Sequence, residues 1–397
     1  MAPSAIWRCP DVTPILFLDH APALGGAEHS LLQLLGRLDR TRWQPHVAGV
    51  PGPMLDAARA IGVDAHPVGF PRLRRSPRAL ADWRRGAERL ASLSRQIAAA
   101  IIHTNTVRTA FFGARASRIA GVPFIWHMRD FWLSEERPRW SWPDRLGKRW
   151  LSRRAARIVV NSIAVRDALE ALGTSKVRVV HNGVDLSRYE PGMDGCPFRV
   201  RHGIPLDAPL VGVIGRLRPW KGQTRFLRAM AHVASSTPRA RFLVAGGEIF
   251  GVPDAYEARL HRLATDLGLG SRVVFTGHLG DVREALAALD VFVHPGDPEG
   301  FGLVVAEAMA MQVPVIAFRH GAQQEIVLDG VTGVLTSPGD EKALADGVSA
   351  LLADPPRRVS LGTAARQRIA DHFRIEATVA AIEHLYDDVL SGRADGH

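Results

Sequence analysis

Residues 14–38 read PILFLDHAPALGGAEHSLLQLLGRL. An apolar run of branched and aromatic residues, PILFLD (14–19), leads through the glycine pair Gly25-Gly26 into a helical stretch. That stretch places Leu31, Leu34, Leu35 and Leu38 at the i, i+3, i+4, i+7 spacing of one buried face. The same strand-then-helix pattern recurs along the chain. Further strand candidates are HVAGV (46–50), AIIHTN (100–105), PFIWHM (123–128), RIVVNS (157–162) and VRVVHNG (177–183). After a Pro/Gly-rich junction near Tyr189–Pro197 come LVGVIG (210–215), RFLVAGG (241–247), RVVFTG (272–277), VFVHPG (291–296) and PVIAF (314–318). Near-continuous Val/Ile runs alternating with helices are what parallel strands buried on both faces require. The pattern predicts an α/β protein of two doubly wound, Rossmann-like domains facing across a cleft, and 397 residues suffice for both.

Composition removes several classes. The two cysteines, Cys9 and Cys196, form no CxxC or Cys/His pairing, which excludes a disulfide framework and a structural zinc site and makes a reducing compartment the default. The longest mostly apolar run, Leu303–Phe318, is interrupted by Glu307, Gln312 and Pro314, so no membrane-spanning segment is expected. Pro10, Asp11 and Pro14 break any signal-peptide core, which points to a cytoplasmic protein or one bound to the inner face of the plasma membrane.

The net charge of +10 is unevenly placed: residues 1–190 carry 29 Lys/Arg against 16 Asp/Glu, and residues 191–397 carry 21 against 24. Only four of the fifty cations are lysines and no zinc-finger or basic-zipper pattern occurs, so nucleic acid is not the expected partner. The excess concentrates in residues 72–95 and 129–157. Trp126, Trp132, Trp140, Trp142 and Trp150 lie in or beside the second stretch. Interleaved Trp and Arg suit the interface of an anionic membrane, where rings sit at headgroup level and each cation gains about 1 kcal/mol. A solvated, arginine-decorated surface with tryptophans in the core is the competing reading.

Ligands of doubly wound sheets bind beyond the carboxyl ends of strands, where loops enter helix N-termini. There, Gly25-Gly26 leaves backbone open to an anion, while GxGxxG and GxxxxGK[ST] are both absent. His127 ends PFIWHM, ahead of Arg129 and Asp130, where it would hydrogen-bond a substrate or act as an acid/base group. LVGVIGRLRPWKG sets Arg216 and Lys221 before a helix, a pairing suited to a diphosphate. In HPGDPEGFGLVVAEAMA, Glu299 lies in a loop, Gly300-Phe301-Gly302 offers free amides, and Glu307 faces an otherwise apolar helix. A lone carboxylate there needs a partner, either ligand hydroxyls or a neighbouring arginine.

At these residues the sequence resembles the retaining glycosyltransferases of the two-Rossmann-domain (GT-B) architecture, specifically glycosyltransferase family 4, the glycogen-synthase-like group 1 type. The resemblance takes in Gly25-Gly26-Ala27-Glu28, HNGVD (181–185), GRL…WKG (215–222), the E-x7-E pair Glu299/Glu307, GAQQEIVLDGVTGVL (321–335) and the tail FRIEATVAAIEHLYDDVL. It implies an acceptor-binding domain at 1–190, a donor-binding domain at 191–372, and a last helix at 373–397 packing back on the first. It also implies roles. Arg216 and Lys221 would hold the donor diphosphate, Glu307 the ribose hydroxyls, and Glu299 the hydroxyls of the transferred sugar. The amides of Phe301, Gly302 and Leu303 would bind sugar and phosphate oxygens, and the backbone of His278 and Leu279 the nucleobase edge. Gly26 would offer its amide to the diphosphate, and His127 would reach the sugar or its anomeric centre. A front-face mechanism, in which the leaving phosphate helps deprotonate the acceptor, comes with the resemblance.

The implied activity is transfer of a sugar from a UDP- or GDP-sugar to a glycan, lipid-linked or small-molecule acceptor, as in cell-envelope or polysaccharide synthesis. No DxD occurs, so Arg216 and Lys221, not a carboxylate-held metal, are expected to stabilise the leaving group. The sequence departs from the commoner pattern at Met128–Trp132 and the Trp/Pro/Arg-rich stretch beyond, and at Gly246-Gly247-Glu248. A nucleotide-sugar epimerase would share the two domains without this motif set. A non-catalytic nucleotide-sugar binder would be expected to lack Arg216, Lys221 or Glu299, and all three are present.

Overall fold

The strands fall into two sheets whose neighbours all run parallel. A computed structural model describes residues 12–21, 23–72, 76–131, 142–170, 176–247 and 255–392. The first sheet contains β1 (Thr13–Leu18), β2 (Trp43–Gly49), β3 (Asp64–Pro67), β4 (Ile101–Thr104), β5 (Phe124–Met128), β6 (Arg157–Val160) and β7 (Val177–Val179), in the order β3-β2-β1-β4-β5-β6-β7. The second contains β8 (Leu210–Ile214), β9 (Arg241–Ala245), β10 (Val273–Gly277), β11 (Val291–His294), β12 (Val315–Phe318) and β13 (Val334–Thr336), in the order β10-β9-β8-β11-β12-β13.

The near-continuous apolar strands follow from burial on both faces. In the second sheet Leu210, Ile214, Leu243 and Phe292 belong to one core, whereas Val211, Val213, Phe242, Val244, Val291 and Val293 belong to the core on the opposite face. Each such side chain contributes roughly 1.5–3 kcal/mol by leaving water. In the first sheet Ile15 to Leu18 are all fully buried. The strands not foreseen are β3 and β13, both at sheet edges. β3 reads DAHP and is nowhere fully buried, and β13 has three residues. Neither carries the continuous apolar run by which central strands are recognised.

The chain divides into two compact units. Unit 1 takes residues 1–161, 165–180 and 378–397, and unit 2 takes 162–164 and 181–377. The division at 180/181 falls ahead of the Pro/Gly-rich junction, because the HNGVD segment belongs to unit 2: Val184 N donates to Phe373 O, and Ile375 N to Val184 O. The last helix, Ile375–Leu390, passes from Thr378 onward into unit 1. There Arg42 pairs with Asp387 at 2.7 Å, and the Trp43 ring lies edge-on to Tyr386 at 5.3 Å.

In each sheet the strand order reverses beside the central strand, between β1 and β4 and between β8 and β11. Ligands of doubly wound sheets bind in the crevice outside the strand carboxyl ends at such a switch point.

Candidate active site

In unit 2 the crevice is built from the loops after β8 and β11. Beyond β8 the chain passes Gly215 and Arg216, makes a 3-10 turn at Pro219–Lys221, and enters the helix Gln223–Ser236 through Gly222 at φ 81°. The buried Gln223 holds the turn by donating from Nε2 to Arg216 O at 2.9 Å. The loop after β11 lies against it: Asp297 N donates to Trp220 O at 2.7 Å, and Arg225 pairs with Asp297 at 2.8 Å.

These contacts bring Lys221 and Glu299 together. Lys221 Nζ donates to Glu299 Oε1 at 2.6 Å, and His294 Nε2 lies 3.1 Å from the same oxygen. Burial pushes the Glu299 carboxyl up, but the Lys221 ammonium and the His294 ring outweigh it and hold the group well below the usual carboxylate range. Glu299 therefore stays ionised and acceptor-only across physiological pH.

Phe301 is buried, and Gly302 starts the helix Leu303–Ala310 at φ 87°. One side chain in that helix is out of character: Glu307 is 7% exposed amid apolar neighbours. It forms no arginine ion pair among the described residues. The Tyr189 hydroxyl instead donates to Glu307 Oε1 at 2.7 Å. Tyr189 was not foreseen, because its partner lies 118 residues away.

Burial pushes the Glu307 carboxyl up to about 7, against the pull of the Tyr189 hydroxyl and Arg188. With an unfolded value near 4.5, the unfolded chain releases this proton first as pH rises. The stability from holding the proton is complete below that value and is lost as pH rises through the folded one, a change of about 3 kcal/mol. Glu307→Gln cannot titrate. Its unfolding free energy should fall less than the wild type's between about pH 5 and about pH 8, by up to about 3 kcal/mol. Parallel curves for the two proteins in urea denaturation would show that Glu307 is ionised in the fold.

His278 and Leu279 follow β10, with His278 exposed and Leu279 half-buried. The loops around them stack closely: a Cβ on Gly246 would fall 1.9 Å from Gly215 O, and one on Gly247 would fall 2.9 Å from His278 N. Glu248 lies outside the described residues.

In unit 1 the corresponding crevice lies between β1 and β4. Asp19 follows β1 directly, is fully buried, and accepts from Asn105 Nδ2 at 2.6 Å and from Ala21 N at 2.8 Å. Arg129 donates from Nε to Asn105 Oδ1 and from Nη1 to Ser30 Oγ. Burial, reinforced by the charge of Glu28, pushes the Asp19 carboxyl up to about 8. Gly25 N donates to Glu28 Oε2 at 2.9 Å, and a Cβ on Gly26 would meet nothing within 4 Å. Packing therefore does not demand a glycine at 26, which is exposed.

His127 is 2% exposed on β5, with Nδ1 3.1 Å from His103 Nε2. Asp19, Asn105 and His103 were not singled out from sequence, although each is a polar residue at or near the end of an apolar strand candidate.

The basic stretches are partly described. Arg84, Arg85 and Arg89 are exposed on the helix Pro77–Gln96, and Arg145, Arg149 and Arg153 on the helix Trp142–Arg154. Trp83 and Trp150 from these helices meet at 6.4 Å, and Arg154 lies 4.1 Å over the Trp150 ring. Lys148 leaves the surface count: it is fully buried, pairs with Asp144 at 2.9 Å and donates to Phe131 O. Trp126 is core. Trp132, Trp140 and the segment around them lie outside the described residues.

Two family profiles match the chain, Glycosyl transferases group 1 over residues 197–368 and Glycosyltransferase Family 4 over residues 24–188. It is similar to the lipopolysaccharide core biosynthesis mannosyltransferase LpsB of Rhizobium meliloti, at 33% identity over 53% of this chain and 61% of that protein. It is also 33% identical to a D-inositol 3-phosphate glycosyltransferase of Acidothermus cellulolyticus, over 74% of this chain and 68% of that one. With four such curated relatives the match spans between 53% and 61% of their own length. A crystal structure of Anabaena HepE in complex with UDP and glucose superposes with a TM-score of 0.82 at 27% identity, covering 94% of this chain and 99% of that one.

Proposed function

This chain belongs to the group 1, family 4 glycosyltransferases, and from that premise we propose that it transfers a sugar from a nucleotide-sugar donor, UDP- or GDP-linked, to a glycan, lipid-linked or small-molecule acceptor, with retention and without a metal. The observation that carries this reading is the Lys221–Glu299 pair at the β8/β11 crevice, with Glu307 on the adjoining helix. Glycosyl transfer builds positive charge at the anomeric carbon and negative charge on the departing diphosphate. We assign Lys221 and Arg216 to stabilising the latter, work that a metal does elsewhere. Glu299, fixed as a carboxylate, accepts from sugar hydroxyls, and Glu307 accepts from the ribose. Phe301, Gly302 and Leu303 supply amides, and His278 and Leu279 supply backbone to the base. In unit 1 we assign His127 to the transferred sugar and the Gly26 amide to the diphosphate.

The complex of HepE with UDP and glucose supports a nucleotide-sugar donor. The test is a panel of UDP-, GDP-, ADP- and dTDP-sugars scored by donor hydrolysis and by thermal shift. One donor class should be hydrolysed slowly and raise the melting temperature, and no response to any of them would sink the reading.

We assign the acceptor side to a membrane surface. No helix of the described residues is long and apolar enough to cross a membrane. The exposed arginines on the two Trp-linked helices, flanked by exposed Leu80 and Leu146, suit an anionic interface. The protein should sediment with vesicles containing anionic lipid and not with neutral ones. Charge reversal at Arg84, Arg85, Arg149 and Arg153 should abolish this, and equal recovery with both vesicle types would remove the membrane from the proposal.

A further inference from the structure

Three side chains of unit 1 form a continuous hydrogen-bonded chain that reaches His127. Tyr386 Oη, from the last helix, lies 2.7 Å from His103 Nδ1, and His103 Nε2 lies 3.1 Å from His127 Nδ1. All three residues are at most 2% exposed. Phe17 stacks on His103 at 5.0 Å, and Trp43 packs edge-on against Tyr386, so the rings are held in place. Beyond the chain, His127 Nε2 is buried without a hydrogen-bond partner among the described residues.

Hydrogen-bond bookkeeping sets the direction of this chain. Both imidazoles are neutral: burial, followed by the charge of Arg129, brings His103 down to about 3 and holds His127 well below its ordinary value. Each ring therefore carries one N–H and one bare nitrogen. If Tyr386 accepted from His103, the buried phenol proton would be left without an acceptor among the described residues. His127 Nε2 would then also be a bare, unpaired nitrogen, leaving two polar groups unmet. If Tyr386 donates, only His127 Nε2–H is unmet. An unmet buried polar group costs about 1–3 kcal/mol, so the second arrangement prevails.

We propose that Tyr386 and His103 are positioning residues that fix the tautomer of His127, so that His127 presents Nε2–H as a hydrogen-bond donor to a substrate oxygen instead of a bare nitrogen serving as a base. This rests on the assignment of His127 to the sugar, and it adds two residues and a direction to that assignment. The acceptor for Nε2–H is an uncharged or anionic oxygen, such as a sugar hydroxyl or a phosphate oxygen.

The test is nitrogen NMR of histidine-labelled protein, with the His127 signals assigned by their loss in H127Q. In the wild type His127 should show a protonated Nε2 and a bare Nδ1. Tyr386→Phe keeps the ring and removes only the hydroxyl, so it should stay folded and unfold a few degrees below the wild type, because His103 Nδ1 loses its partner, while His127 becomes a mixture of tautomers. In the transfer assay the same variant should lose about tenfold in kcat with little change in donor KM, the factor that about 1.4 kcal/mol produces. A wild-type His127 protonated on Nδ1, or an unchanged tautomer in Tyr386→Phe, would overturn the proposal. The NMR measurement needs no turnover, so the tautomer result stands apart from any failure of the transferase reading.

Discussion

Lys221→Ala should reduce kcat by about 10²–10³, the effect of removing one preorganised donor to developing negative charge, or about 3–4 kcal/mol. The loss has a second component. Glu299 accepts from both Lys221 and the His294 ring. Without the ammonium its carboxyl rises toward its ordinary value, since burial is the largest influence on it. The measurement is steady-state turnover with the best donor of the panel, alongside Glu299→Gln and the double variant. Because the two side chains touch at 2.6 Å, the double variant should lose clearly less than the sum of the single losses. A near-normal rate for Lys221→Ala would take Lys221 out of the site.

Gly222→Ala should cost about 2–5 kcal/mol of stability. Gly222 occupies the left-handed region at φ 81°, and an added Cβ would fall 2.1 Å from the Pro295 carbonyl oxygen. Both contributions act together: left-handed backbone costs a side-chain-bearing residue about 1–2 kcal/mol, and overpacking against backbone costs about 1–3 kcal/mol. The only relief is to separate the loops after β8 and β11, which carry Lys221 and Glu299. Urea denaturation should therefore show a large fall in midpoint, and any folded remainder should bind donor poorly. Gly26→Ala is the matched control, because its Cβ meets nothing within 4 Å. A Gly222→Ala protein as stable as Gly26→Ala would mean that the two loops are not in contact.

The fold was legible because parallel strands buried on both faces, such as LVGVI at β8, have no polar alternation to obscure them. The edge strands β3 and β13 were not, since β3 is nowhere fully buried and β13 has only three residues, and neither carries a continuous apolar run. Within the site, legibility followed local spacing. Arg216, Lys221, Glu299 and Glu307 lie in two short motifs, and the chemistry of each can be argued from its neighbours. What holds them in place is non-local. Tyr189 reaches Glu307 across 118 residues, and Tyr386 reaches His103 across 283. Local reading offered arginine or ligand hydroxyls for Glu307, and tyrosine, one of only three in the chain, supplies the partner.

The passage of the last helix from unit 2 into unit 1 bears on inheritance and recombination. A chimaera of two related chains made with one crossover near the midpoint divides unit 1 between its parents. Here a single exchange near residue 180 would take His103 and His127 from one parent and Tyr386, with Asp387, from the other. The tyrosine–histidine chain and the Arg42–Asp387 pair would then be assembled from unmatched halves. A recombinant that keeps its ancestral hydrogen bonds needs a second crossover near residue 377, so that the first and last parts of the gene travel together.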